Sequence, residues 1–488
     1  GRRRMLLRLV RRSVYTSAYG TVEPATTNLA SFVLARIGAC LEQDPSFADK
    51  AAVICAPSGR TLTYGEFPGR VYAAAEKIEK GTLLIHLPNC PEFPVAFHGA
   101  LAGGNRVSTS NPSYGARELA HQIKDASITS VLTVQPFRQV CEDAVTLVGD
   151  DAKNVKVHCI GDADAPVAPV GAPFHNDGAP PPYGAVFDDD DMDAAQTVAA
   201  LPYSSGTTGL PKGVMLSHAS IATNILQCEK FFQQNPDVWD VADPTQGVAA
   251  KDRLLGLLPF FHIMGMVTCL SYSLARGSTL VAMPKFDPAT FLYDLEKHKI
   301  TVAHLVPPLI LFLAQQQQQQ QEAAVTATTT QRLTSLKGIA CGAAPLDAAT
   351  QKRVEALLQV TLFQGYGMTE TSPVTHGDIE GTNPGTVGKL APSTECRLVE
   401  DVCDATGTMT DVTTPGTPGE LVIRGPQVML GYLNNPEATA KTLLPGGWLR
   451  TGDVATVSDD GVFTVVDRIK ELIKVKGLQV SPAELEGI

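Results

Sequence analysis

The feature that most constrains the fold is an alternation that is interrupted once. From Leu62 to Val134, apolar runs such as TLLIHL and SVLTV alternate with stretches of helical period such as YGARELAHQIKDA, and the pattern resumes after Val198. Short buried runs trading places with amphipathic helices predict α/β units built on parallel strands. The interruption is rich in Pro, Gly and Asp and reads as a surface connection, with Asp188 to Asp191 simply solvated. Two α/β subdomains are therefore expected. After Pro384 the texture changes to short runs punctuated by Gly and Pro, such as GELVIRG and GVFTVVD, which predicts a β-barrel-like antiparallel section. With 488 residues, 44% of them apolar, the chain has core material for more than one domain. The seven glutamines Gln315 to Gln321 read as a helix running out into a low-complexity loop.

Charge and cysteine usage remove several function classes. A formal net charge of -11 disfavours broad capture of nucleic acid, whose phosphates demand a basic face. Ten cysteines without a C-x-x-C pair indicate neither a zinc site nor a disulfide framework, so reduced, intracellular thiols are expected. No uninterrupted apolar run is long enough for a membrane-spanning helix. The first 22 residues hold six arginines and no acid. Arg8, Arg11 and Arg12 lie at helical spacing among Leu6, Leu9 and Val10, an amphipathic start of the mitochondrial transit type. The alternatives are a frayed basic tail and a cytoplasmic or peroxisomal location.

The stretch PYSSGTTGLPKGVML, Pro202 to Leu216, concentrates Gly, Ser, Thr and one lysine after an apolar run. Small residues let backbone N–H groups approach an anion, hydroxyls add donors, and Lys212 adds a charge. The P-loop pattern fails, because Pro211 stands where its second glycine belongs and Gly213 follows the lysine; H-R-D and D-F-G are also missing. The loop suits phosphate but fits neither common phosphoryl-transfer class. A bare Gly-rich hairpin turn is the simpler alternative.

SSGTTGLPKGV resembles the signature loop of the adenylate-forming superfamily of acyl-CoA synthetases, luciferases and peptide-synthetase adenylation domains. LPFFHIMGM, CGAAPL, QGYGMTET, GELVIRG, WLRTGD and DRIKELIKVKGLQVSPAELE are similar to its further motifs and follow in family order. The resemblance is closest to 4-coumarate:CoA ligases. It implies an ATP-dependent carboxylate:CoA ligase that forms an acyl-adenylate and pyrophosphate and then a thioester. ATP, Mg²⁺, coenzyme A and a small carboxylic acid of aryl or hydroxycinnamate type are the implied partners. The resemblance covers the chain from about Thr27, after a basic N-terminal segment over 1–26 read as a possible transit peptide, and further implies an AMP-binding domain over 27–467 and a hinge with the start of a truncated α+β C-terminal domain over 468–488.

The resemblance also assigns residues. Ser204, Ser205, Gly206, Thr207, Thr208, Gly209 and Lys212 would grip the β- and γ-phosphates. Asp453 would accept both ribose hydroxyls, with Arg468 as a second ribose contact. Tyr366 would face adenine, with Gly342, Ala343, Ala344 and Pro345 opposite and Gln364 and Gly365 adding polar groups. Thr369 would bind the α-phosphate and Glu370 would ligate Mg²⁺. His262 would orient the carboxylate, although a lone histidine in an apolar stretch more often only packs. Met264, Thr268, Gly342, Gly367, Pro373 and Val374 would join it in shaping the acyl slot. Lys470 would be the hinge, Lys474 and Gln479 active-site contacts, and Lys476 with Gly477 part of the CoA approach. Met264 stands where plant enzymes usually offer tyrosine, so a medium-chain or other aryl acid is an alternative substrate. The family's C-terminal lysine motif is not reached before Ile488, which leaves a fragment of a longer enzyme or a non-catalytic adenylate binder as further expectations.

Overall fold

The computed structural model describes residues 14–172, 192–204, 211–324, 333–403, 406–412, 414 and 416–468, together with the backbone of 473–475 and 478–480. Two sheets with parallel cores carry the α/β alternation. In the first, strands Thr82–Ile85, Arg106–Thr109, Ser130–Thr133, Lys156–Cys159 and Val198–Ser204 run parallel. Lys212–Ser217 then turns back antiparallel on Val198–Ser204, and Gly431–Tyr432 adds the edge. In the second, Ala51–Cys55, Thr279–Ala282, Arg253–Gly256, Val302–Leu305, Gly338–Cys341 and Thr361–Gly367 are parallel neighbours. The inner strands are buried on both faces, as near-continuous Val, Leu and Ile runs demand.

The third sheet is antiparallel, in the order Tyr15–Thr16, Glu395–Cys403, Gly419–Arg424, Trp448–Val457, Leu443–Leu444, with Thr408–Asp411 and Phe463–Arg468 attached. Its path has two ends, so the β section is an open sheet and not a closed barrel. The subdomains are also interleaved in sequence. Ala51–Cys55 and Thr61–Thr63 precede the first sheet in the chain but sit on the second, and Gly431–Tyr432 returns to the first.

A continuous apolar core joins the two α/β halves. At its centre Phe232 stacks on Trp239 with centroids 4.3 Å apart, and Tyr272 meets both rings edge-on. Nine of the ten cysteines, all but the exposed Cys403, are buried free thiols. Helix Pro307–Ala324 continues through the glutamine run instead of ending before it, consistent with the good helix propensity of glutamine.

Residues 14–26 belong to this fold. Tyr15 and Thr16 pair with Cys396 and Glu395, and the Ser393 hydroxyl accepts from the Val22 N–H at 2.8 Å. The Thr223 hydroxyl accepts from Ala25 N–H at 2.9 Å. Among the described residues no helix is long and apolar enough to cross a membrane.

Candidate active site

The C-terminal end of strand Thr361–Gly367 organises one corner. Tyr366 donates its hydroxyl to Asp453 Oδ2 at 2.5 Å, and Arg468 donates Nε–H to Asp453 Oδ1 at 3.2 Å. Asp453 and Arg468 are direct partners across the antiparallel sheet, so the pairing register itself sets that ion pair. Thr451 accepts the Asp453 N–H at 3.0 Å and donates to the Leu421 carbonyl at 2.7 Å. Asp453 is only 6% exposed. Burial, followed by the Asp453 charge, raises the Tyr366 phenol well above its ordinary range, so it stays a neutral donor.

The loop after strand Gly338–Cys341 forms the neighbouring wall. Ala343 to Pro345 are exposed, and Ala343 adopts φ 71°, a left-handed conformation that costs a residue with a Cβ roughly 1–2 kcal/mol. Gln364 holds this loop: its amide exchanges two 2.8 Å hydrogen bonds with the Leu346 backbone and donates to Gln351 at 3.0 Å. These bonds occupy its carbonyl and both amide hydrogens, so Gln364 acts here as a brace for the loop. Asp347 caps helix Ala348–Leu358 by accepting from Thr350 N–H, fixing where the loop ends.

A second corner lies four residues further along the chain. Glu370 sits in the single turn Thr369–Thr371, 5% exposed, with Oε1 accepting the Tyr432 hydroxyl at 2.8 Å. Its backbone carbonyl accepts from Met429 N–H at 2.9 Å. The Lys212 ammonium lies 5.1 Å from the Tyr432 ring centroid, within cation–π range. Burial raises the Glu370 pKa, opposed by the Tyr432 hydrogen bond and the Lys212 charge. Ser204 and Lys212 are opposite partners on the two strands flanking the Gly-rich loop, which therefore closes a hairpin. Ser205, Gly206, Thr207, Thr208 and Gly209 lie outside the described residues. Tyr432 escaped the sequence reading because a tyrosine after a glycine carries no distinguishing pattern; only the edge strand brings it to Glu370.

The site fits Mg²⁺ bound jointly with phosphate. Among the described residues no three metal-ligating side chains cluster, and a single buried carboxylate beside a cation is the donor set that Mg²⁺ accepts when phosphate oxygens and water fill the other positions.

Several of the residues expected to shape an acyl slot meet in pairs. A Cβ on Gly342 would lie 2.6 Å from Met264 Cε, and one on Gly367 would lie 1.8 Å from the Pro373 carbonyl oxygen. Val374 exchanges hydrogen bonds with Asn224 at 2.9 and 3.1 Å. Thr268 lies in the π-helical turn Gly265–Ser271 and donates to the Met264 carbonyl at 2.6 Å, which satisfies its hydroxyl locally. His262 reaches solvent yet is lined by protein, and burial lowers its pKa. Lys474 and Gln479 are opposite backbone partners in the hairpin Ile473–Val475 and Leu478–Val480. Lys470, Lys476 and Gly477 lie outside the described residues.

The chain is similar to known proteins along most of its length. The family described as AMP-binding enzyme matches residues 41–433. The chain is 35% identical over 471 residues to 4-coumarate--CoA ligase 2 of Solanum tuberosum, covering 92% of this chain and 78% of that protein. It is 34% identical over 456 residues to 4-coumarate--CoA ligase 1 of Arabidopsis thaliana, covering 91% and 76%. Among solved structures, the fold matches the anthranilate CoA ligase AuaEII in complex with anthranoyl-AMP, with TM-score 0.75 at 20% identity over 95% of this chain and 81% of that one. It also matches ATP-bound MatB from Rhodopseudomonas palustris, with TM-score 0.71 at 24% identity over 93% and 82%. A family model matched over residues 41–433, together with 35% identity to a relative along 92% of the chain, shows that this protein belongs to the AMP-binding enzyme family.

Proposed function

We propose that the protein is an ATP-dependent carboxylate:CoA ligase. In the first half-reaction a carboxylate oxygen attacks the α-phosphorus of ATP and pyrophosphate leaves; in the second, the CoA thiol attacks the acyl carbon and AMP leaves. The observation that carries this reading is the convergence of Tyr366–Asp453–Arg468 and Glu370–Tyr432–Lys212 at the two ends of the short segment Tyr366 to Glu370. Asp453 would bind the ribose and the Ala343–Pro345 wall the base. Lys212 and the hairpin hydroxyls would hold the outer phosphates. Thr369 would bind the α-phosphate, and Glu370 would hold Mg²⁺, which would supply charge to offset that developing on the phosphates. Lys474 and Gln479 would complete the site for adenylation and Lys476 with Gly477 would guide CoA, with Lys470 as the hinge between them.

The acyl slot favours an aryl acid lacking a phenolic hydroxyl. Gly342 and Gly367 keep the slot flat, Met264 closes it with a flexible apolar tip, and Thr268 is engaged by its own helix. The medium-chain reading rests on that same methionine. Incubation with a panel of hydroxycinnamic, benzoic and medium-chain acids, Mg·ATP and CoA should release AMP and pyrophosphate; release of ADP would overturn the proposal.

We also infer that the Arg-rich start directs the protein to mitochondria, with any cleavage falling before Tyr15, since Tyr15 to Ala25 are bonded into the fold. A fluorescent fusion of residues 5–30 that stays cytosolic would exclude this.

A further inference from the structure

The segment that carries His262 and Met264 is held by side chains from the other α/β half. Asn89, 4% exposed, donates its amide to the carbonyls of Gly256 at 2.8 Å and Leu258 at 2.9 Å, and accepts the Phe260 N–H at 2.8 Å. Thr109, 2% exposed, donates to the Phe261 carbonyl at 2.7 Å. Four consecutive contacts therefore end one residue before His262. Thr109 ends strand Arg106–Thr109, and Asn89 lies four residues past the end of its parallel neighbour Thr82–Ile85. These ends are themselves fastened together. His86 Nδ1 and the Ser110 hydroxyl are 2.8 Å apart, and the Gln122 amide donates to Ser108 Oγ at 2.7 Å and Thr109 O at 2.9 Å.

The mainchain they hold has left its strand. Arg253–Gly256 ends at Gly256, and the π-helical turn starts only at Gly265, so the carbonyls and amides between have no ladder to satisfy them. A Cβ on Gly265 would lie 2.1 Å from the Pro259 carbonyl oxygen, which shows how tightly the segment folds back on itself. A segment of this kind has many alternative paths, and each hydrogen bond from a buried, already oriented side chain removes some of them.

We propose that Asn89 and Thr109 are positioning residues for the acyl-binding segment: they lock the backbone of Leu257 to Phe261 and so set where His262 and Met264 meet the carboxylic acid. Neither touches the acid. The functional part of this inference rests on the ligase reading above.

Thr109→Val keeps shape and removes the donor, and Thr109→Ser restores it. Asn89→Asp keeps the acceptor for Phe260 but loses the donor to the two carbonyls. In Thr109→Val, the KM for the acid in a pyrophosphate-release assay should rise by about five- to tenfold, the cost of one buried hydrogen bond. The KM for ATP should stay within twofold, and Thr109→Ser should return both to the wild-type values. Asn89→Asp should show the same selective rise, larger than Thr109→Val because two bonds are lost. Hydrogen exchange gives a readout independent of activity: amides of 257–264 should exchange about tenfold faster in both variants while those of 212–217 do not change. Equal changes in the KM for acid and for ATP, failure of serine to rescue, or unaltered exchange would each overturn the clamp. A wild-type protein that releases no pyrophosphate with any acid would instead defeat the ligase reading, and the exchange measurement would still decide whether the clamp exists.

Discussion

The proposed nucleotide and acyl ends of the site are built in opposite ways. At the nucleotide end, functional side chains bind one another across sheets: Tyr366 and Arg468 both meet Asp453, and Tyr432 touches Glu370 with its hydroxyl and Lys212 with its ring. At the acyl end His262, Met264, Gly342 and Gly367 form no such network. His262 and Met264 follow a backbone held by Asn89 and Thr109, whereas Gly342 and Gly367 come at the ends of strand Gly338–Cys341 and its neighbour and make steric contacts with Met264 and Pro373. Directional polar networks tolerate little change, because each loss strands a buried partner; steric walls can be exchanged one methylene at a time. On the proposed function, the difference assigns the nucleotide chemistry to the rigid corner and the choice of acid to the adaptable one.

The largest test breaks the rigid corner. Asp453→Asn removes the charge that two donors share and weakens both ribose contacts, so kcat/KM for ATP should fall roughly 10²–10³-fold, with the KM for the acid little changed. Pyrophosphate-exchange kinetics check this, and a loss under tenfold would remove Asp453 from nucleotide binding. Glu370→Gln should lower adenylation by roughly 10² or more through lost metal binding, visible as a higher Mg²⁺ requirement. Unchanged turnover would free Glu370 of that role.

Two glycines sharpen the comparison within the acyl end. Gly367→Ala drives a Cβ into the Pro373 backbone, which cannot swing away, so a stability loss of roughly 1–3 kcal/mol and a lower Tm are expected. Gly342→Ala meets only the tip of Met264, which can rotate. That variant should keep its Tm, raise the KM for a flat aryl acid about tenfold, and regain affinity in combination with Met264→Ala. Equal loss of Tm in the two glycine variants would erase the distinction.

A pH dependence of stability runs through both α/β halves. Burial lowers His86, His218 and His304 to about 4 and His98 and His376 to about 3. A histidine whose folded pKa is depressed binds its proton more readily in the unfolded chain. Stability is therefore complete above the unfolded value near 6.5 and declines as pH falls toward 4, by roughly 1.4 kcal/mol per pH unit for each titrating histidine. Urea unfolding at pH 7 and pH 5 should show the decline, with no comparable change between pH 7 and pH 8.

Much of this was legible in residues close together in the chain. The alternation of apolar runs and amphipathic helices specified parallel sheets, and the Gly and Pro punctuation after Pro384 specified antiparallel strands. Asp453 and Arg468 were named by resemblance alone, and the β pairing that joins them came only with the fold. Local patterns could not show that Ala51–Cys55 leaves its sequence neighbours for the second sheet, or that Gly431–Tyr432 returns to the first. Nor could they show that Gln364 braces a loop, that the β section stays open, or that Asn89 reaches 167 to 171 residues along the chain to hold Gly256 and Phe260. The sequence by itself determined the kinds of element and the chemistry each motif could offer, since periodicity and residue type act over a few residues. Only the tertiary structure decided which of them meet, because those contacts are selected by burial and by the satisfaction of backbone polar groups over the whole chain.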